Sequence, residues 1–177
     1  MSHELLSKAV SLLTIQEIIL GEANVRLDPS LNVHAPDLNL TAKMSEGDQV
    51  LCEQVSGKTP DGKDCRFIRL GFRFVLRLVG PGGFEVTPAE KEQGAPTIPA
   101  SADENVKVTI EALLKGVYAV AGDGFPENEV VQAFIANAKF QVWPYWREFV
   151  TQMVARMNLP TVTIAPYQVQ IPGREAQ

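Results

Sequence analysis

The chain has 177 residues, of which 45% are hydrophobic and 21% charged, and a formal net charge of −5. That length supports one domain with a full core, and the composition excludes wholesale disorder. The acidic balance argues against nucleic acid as a partner. Cys52 and Cys65 form no CxxC pair and lie far in sequence from His3 and His34, so no metal site is assigned. So few cysteines fit a reducing cytoplasm. The opening MSHELLSKAV lacks the basic start of a signal peptide, and no apolar run approaches the roughly 18 residues that a membrane span needs.

Ser2 to Leu13 reads as a short amphipathic helix. Leu5, Leu6, Ala9, Val10, Leu12 and Leu13 supply its apolar side, and Ser2 its cap. So short a helix must dock, on the core or on a partner. From Thr14 to Asp28 a period of two predicts a strand. Ile19, Ala23, Val25 and Leu27 face one way, and Glu22, Asn24, Arg26 and Asp28 the other. Pro29 stops it. Ser30 to Pro60 reads as an extended passage ending in a strand. Leu38, Leu40, Ala42 and Met44 alternate with polar residues, as do Leu51, Glu53 and Val55, with Gly47-Asp48 between the two pieces. Thr59-Pro60-Asp61-Gly62-Lys63 is a turn that closes a hairpin.

Arg66 to Val79 is the clearest strand. Ile68, Leu70, Phe72, Phe74, Leu76 and Leu78 share one face; Arg69, Arg73 and Arg77 share the other. Such an arginine row either holds a ligand or forms a solvated face paired with acids on neighbouring strands, as Glu22 and Glu111 would provide. The second is the commoner arrangement. Gly80 to Asp103, with its GPGG and EKEQGAPTIPASADE runs, reads as a mobile loop. GPGG is no phosphate loop, because no GK[ST] follows and no helix opens there. Val106 to Gly122 is the last strand. From Leu113 onward both its faces turn apolar, so its end is either covered on both sides or exposes an apolar patch.

Pro126 to Ala138 predicts a helix with a stripe of Val130, Val131, Phe134, Ile135 and Ala138. A second helix follows, opened by Pro144 and striped by Trp146, Phe149, Val150, Met153, Val154 and Met157. Asn158 and Pro160 end it. Tyr167 to Gln177 should fray. Four antiparallel strands followed by C-terminal helices make an α+β pattern with an extra N-terminal helix, within a single domain spanning 1–177. No acid, base and nucleophile converge, and no Ser has a GxSxG setting, so no catalytic residues are assigned and an enzyme is not expected. Arg147 and Glu148 are adjacent, which on a helix leaves each to bond something else.

Val142-Trp143-Pro144-Tyr145, Arg147-Glu148, Met153, Arg156, Pro160 and Ala165-Pro166 together resemble the C-terminal signature of the SecB family of chaperones. Gly116-Val117-Tyr118-Ala119-Val120-Ala121-Gly122 is similar to that family's Gly-aromatic-Ser-aliphatic-Ala-Gly strand end. Ile15-Gln16-Glu17-Ile18 is a weaker match. The Trp-Pro-Tyr-x-Arg-Glu spelling is most like SecB-like chaperones encoded beside toxin–antitoxin pairs. The resemblance implies a SecB-like fold, four antiparallel strands with C-terminal helices, assembled as a homotetramer that is a dimer of dimers. It implies an ATP-independent holdase without cofactors, binding unfolded polypeptides in apolar grooves. Val117, Tyr118, Val120, Trp143 and Tyr145 would line the groove, with core or subunit interface as the alternative for each. Trp146, Phe149, Val150 and Met153 would pack at the subunit interface. The chain departs from the export members. It ends in YQVQIPGREAQ, without their cysteine-rich zinc tail, and Arg26, Arg69, Arg73 and Arg77 make the sheet less acidic than the patch that meets the translocase motor. That puts protein export in doubt and points to a dedicated client such as an antitoxin. A small-ligand-binding α+β domain using the arginine row is the rival from another class.

Overall fold

The computed structural model describes residues 3–59, 61–80 and 105–167. The capping role of Ser2, the turn role of Pro60, the expected loop beyond Gly80 and the tail beyond Tyr167 lie outside them. The elements run α1 (His3–Leu12), β1 (Leu13–Leu27), β2 (Thr41–Glu46), β3 (Leu51–Lys58), β4 (Asp64–Val79), β5 (Val106–Val120) and α2 (Asn128–Arg156). All strand pairings are antiparallel, which makes the fold α+β.

β4 is the spine, because its alternation commits one face entirely to the core. Ile68, Leu70, Phe72, Phe74, Leu76 and Leu78 are each at most 2% exposed. β5 lies along one side of β4, and β1 lies outside β5. The other side of β4 carries two strands. β3 pairs with residues 64–71 and β2 with residues 74–79. The sheet therefore has five strands in four positions. The break falls around Gly47-Asp48, where the sequence interrupts its alternation. The hairpin from β3 to β4 closes as expected, with Gly62 at φ 78° and the Thr59 amide donating to the Lys63 carbonyl at 2.8 Å. Gly80 and Asn105 are joined by a backbone hydrogen bond of 3.1 Å, so the chain between them leaves and returns at one point of the sheet.

Two expectations are corrected. The first is the facing of Ile19. The register slips between Leu20 and Glu22, so Gly21 is an extra residue and the side-chain parity reverses there. Ala23, Val25 and Leu27 stand beside Ala112, Ile110 and Val108 on the core face, whereas Ile19 stands beside Lys115 on the opposite one. Leu20, beside Leu114, takes the core side instead.

The second correction concerns the C-terminal helices, which are one. α2 runs 29 residues with Pro144 inside it. An i, i+4 row of Val130, Phe134, Ala138, Val142, Trp146, Val150 and Val154 runs straight past the proline, and every member is buried. The continuity of that row outweighs the single hydrogen bond that Pro144 forfeits. The row winds about 40° around the helix per step, since four residues turn it about 400°. Its buried side is shared accordingly among β4, β5 and α1. Trp146 stacks on Phe74 with centroids 5.5 Å apart, and Phe134 meets Tyr118 edge-on at 5.0 Å. Asn158, at φ 54°, ends the helix as expected.

Candidate functional site

The residues singled out from the sequence fall in different places. Tyr118 is fully buried, Trp143 is 4% exposed and Val117 is 5% exposed. Val120 is half-buried, and Tyr145 is open to solvent at 49%. Trp146 and Val150 are sealed inside this one chain, while Phe149 and Met153 are half-buried. The structure thus leaves Tyr145 as the accessible member of the first set, and Phe149 and Met153 as the partly accessible members of the second.

The cover over Trp143 is the segment after α2. Trp143 donates its Nε1 hydrogen to the Ala165 carbonyl at 2.9 Å, and the Tyr167 ring lies 5.3 Å from its own. Leu159 and Ile164 anchor the same segment in the core. Trp143 also meets Phe74 edge-on at 5.5 Å. The Trp-Pro-Tyr opening therefore divides by side: Trp143 faces inward, while Pro144 and Tyr145 face outward.

Of the elements that expose large apolar side chains, β1 exposes the most, while Met44 on β2 and Leu51 on β3 are exposed singly. Ile15, Leu20, Val25 and Leu27 are 39%, 50%, 38% and 41% exposed, yet they stand on the face whose neighbours on β5 are core. The reason is width. A helix with side chains is about 10–12 Å across, and strands lie about 4.8 Å apart. One helix centred on β4 and β5 covers those two strands and leaves the core face of an edge strand open. The outer edge of β1 has no strand partner among the described residues, so its backbone groups are also available. Val10 on α1 and Phe140 on α2, at 51% and 54%, add exposed apolar groups on the helical layer. Sequence alternation had marked β1 as half-buried; it carries no information about how many strands a helix can cover.

The opposite face of the sheet is a lattice of ion pairs. Arg73 donates to Glu111 at 2.5 Å and to Glu22 at 2.9 Å, tying β4 to β5 and to β1. These are the acids that the sequence offered. The two carboxylates hold the guanidinium pKa above its ordinary value. Lys115 binds Glu53 at 2.9 Å, with Arg69 3.8 Å from the same carboxylate; the Lys115 hydrogen bond is the main reason the Glu53 pKa is lowered. Lys107 pairs with Asp28 at 2.7 Å, and that bond, joined by those from Ser30, holds Asp28 down to about 2. Leu113 and Val117 are buried on this face, so the apolar end of β5 is covered on both sides up to Tyr118. Glu148 accepts from Gln152 at 3.1 Å, as its separation from Arg147 required.

No group of three His, Cys, Asp or Glu side chains among the described residues could hold a metal ion. No helix among them is long and apolar enough to cross a membrane. Neither a family model nor a curated protein matches the sequence. Among solved structures, the SecB-like chaperone of Mycobacterium tuberculosis, determined in complex with a ChAD peptide from the HigA1 antitoxin, matches with a TM-score of 0.61. The match covers 96% of this chain and 100% of that one at 16% identity. At that identity the likeness lies in the fold, and this chain has the fold of the SecB-like chaperones.

Proposed function

We propose that this chain is a single SecB-like chaperone domain acting as an ATP-independent holdase, without cofactor and without catalysis, for unfolded polypeptides in the cytoplasm. The observation that carries the reading is the open apolar row Ile15, Leu20, Val25 and Leu27 on an edge strand. An unfolded segment laid there gains apolar burial from its side chains and hydrogen bonds from its backbone, and the backbone contribution asks for no particular sequence. The fold shared with a chaperone that was solved holding an antitoxin peptide supports the same reading and favours a dedicated client such as an antitoxin. A homotetramer, a dimer of dimers, would bury further apolar surface and align several such rows. Tyr145 remains a candidate client contact. Val117, Tyr118, Val120 and Trp143 serve the client by shaping the wall behind it. Handing clients to an export motor, and binding a small ligand, have less support. Arg69 and Arg73 are committed to acids, which leaves Arg77 as the member of that row without an acidic partner among the described residues.

The test is suppression of aggregation. The purified protein, with no nucleotide present, should keep a chemically unfolded client soluble on dilution at near-stoichiometric ratio. Affinity capture from the native host should return an antitoxin ahead of exported precursors. A protein that leaves client aggregation unchanged at a severalfold excess would refute the holdase reading.

A further inference from the structure

Two arginines on the ion-paired face stand apart from the lattice around them. Arg26 on β1 and Arg77 on β4 both register with Thr109 on β5, so the three form one cross-strand row with Thr109 in the middle. The basic residues beside them are engaged: Arg73 with Glu22 and Glu111, and Lys107 with Asp28. Arg26 and Arg77 have no acidic partner among the described residues. A cavity of about 370 Å3 opens over this row, lined by both arginines, Thr109 and Lys107, with Asp28 and Glu111 at its sides. Both of those carboxylates are already bound to cations, so the charges left unanswered in the cavity are the two guanidinium groups.

The geometry points to a docking site for an acidic segment of a partner protein, with Arg26 and Arg77 each taking one carboxylate and the Thr109 hydroxyl hydrogen-bonding between them. Charge and spacing select that occupant. Their strands are two spacings of about 4.8 Å apart, so the row offers two guanidinium groups rather than one. Two acidic side chains two positions apart in an extended chain project from the same side about 6.6 Å apart, a separation that the long arginine side chains close. Nucleic acid is disfavoured because the whole chain carries −5 and would repel a long polyanion at distance. Arginine is suited to the task, since its planar fork accepts a carboxylate through two parallel hydrogen bonds. The site is on the face of the sheet opposite α2 and does not depend on the chaperone reading. A partner held here would leave the apolar row on β1's core face free.

The probe is a short fluorescein-labelled glycine–serine peptide with two glutamates two positions apart, titrated with the full chain at low ionic strength and followed by anisotropy. It should bind about tenfold more tightly than the same peptide with glutamines, a preference reduced by added salt. Arg26→Glu combined with Arg77→Glu should abolish that preference and transfer it to a peptide with two lysines. Circular dichroism and the urea midpoint check that the variant is folded, since neither arginine has an ion pair to lose among the described residues. Absence of the preference in the wild type, or its survival after charge reversal, overturns the proposal. So does displacement of the peptide by equimolar inorganic phosphate, which would mark a free-oxyanion site. A change of oligomeric size in the double variant, seen by light scattering, would assign the row to contacts between copies and also overturn it.

Discussion

Gly116 gives the sharpest test of where Tyr118 belongs. The two residues share a face of β5, and the tyrosine ring folds back over the glycine. A Cβ on residue 116 would lie 2.7 Å from the Tyr118 Oη, 2.8 Å from Cε2 and 3.0 Å from Cζ, against ordinary contacts of 3.4–4 Å. The ring cannot retreat freely, because it is fully buried and set edge-on against Phe134, itself only 2% exposed. Gly116→Ala therefore overpacks the core, a fault that costs about 1–3 kcal/mol. Replacing a strand glycine returns about 0.5–1 kcal/mol of backbone entropy, so a net loss of about 1–2 kcal/mol is expected. With a urea slope of about 1–3 kcal/mol per molar, the midpoint should fall by roughly 0.5–1 M, read by tryptophan fluorescence at fixed protein concentration. The same substitution in a Tyr118→Leu background should cost nothing or stabilise, because the clashing atoms are gone. An unchanged midpoint in the wild-type background, or an equal loss in both, would refute the packing argument. A Tyr118 that touched clients directly would instead show lost client holding with stability intact.

Leu20→Ser with Val25→Ser should weaken client holding by about ten- to thirtyfold, since covering each half-exposed side chain is worth about 1 kcal/mol. The urea midpoint should barely move, because both groups already meet water; a large fall would show that they are structural. Arg73→Met should cost about 1 kcal/mol, modest because Arg73 and Glu22 are well exposed, and the loss should shrink in high salt. A loss that is insensitive to salt would mean that the guanidinium contributes packing rather than charge. Asp28 has a folded pKa of about 2, below its ordinary 3.8, so its contribution is present above pH 3.8 and is lost as pH falls through about 2. Asp28→Asn should therefore lose its stability deficit against wild type across that window. A deficit that stays constant with pH would rule out the Lys107 pair as its source. Tyr118→Phe removes a buried hydroxyl that has no hydrogen-bond partner among the described residues and should leave stability unchanged or slightly raised in thermal melts.

The sequence by itself determined the elements whose period is local and unbroken. β4's six alternating apolar residues, the β3–β4 turn, the two-sided end of β5 and the pairing of Arg73 with Glu22 and Glu111 all follow from local pattern and charge. Each depends only on which residues are neighbours along a strand or one strand away. Tertiary structure decided the rest. Whether Pro144 begins a helix or sits within one depends on the buried row that continues past it, and Val142 had to find the same core as Val130. Ile19 changed faces because one extra residue, Gly21, fits the ladder between β1 and β5. Trp143, for which groove lining and core were both open from the sequence, is covered by Ala165 and Tyr167, more than twenty residues downstream. The exposed row on β1 could not be read from β1 at all. It exists because a single helix is narrower than a sheet four strands wide, and only the assembled layers show which strand is left uncovered.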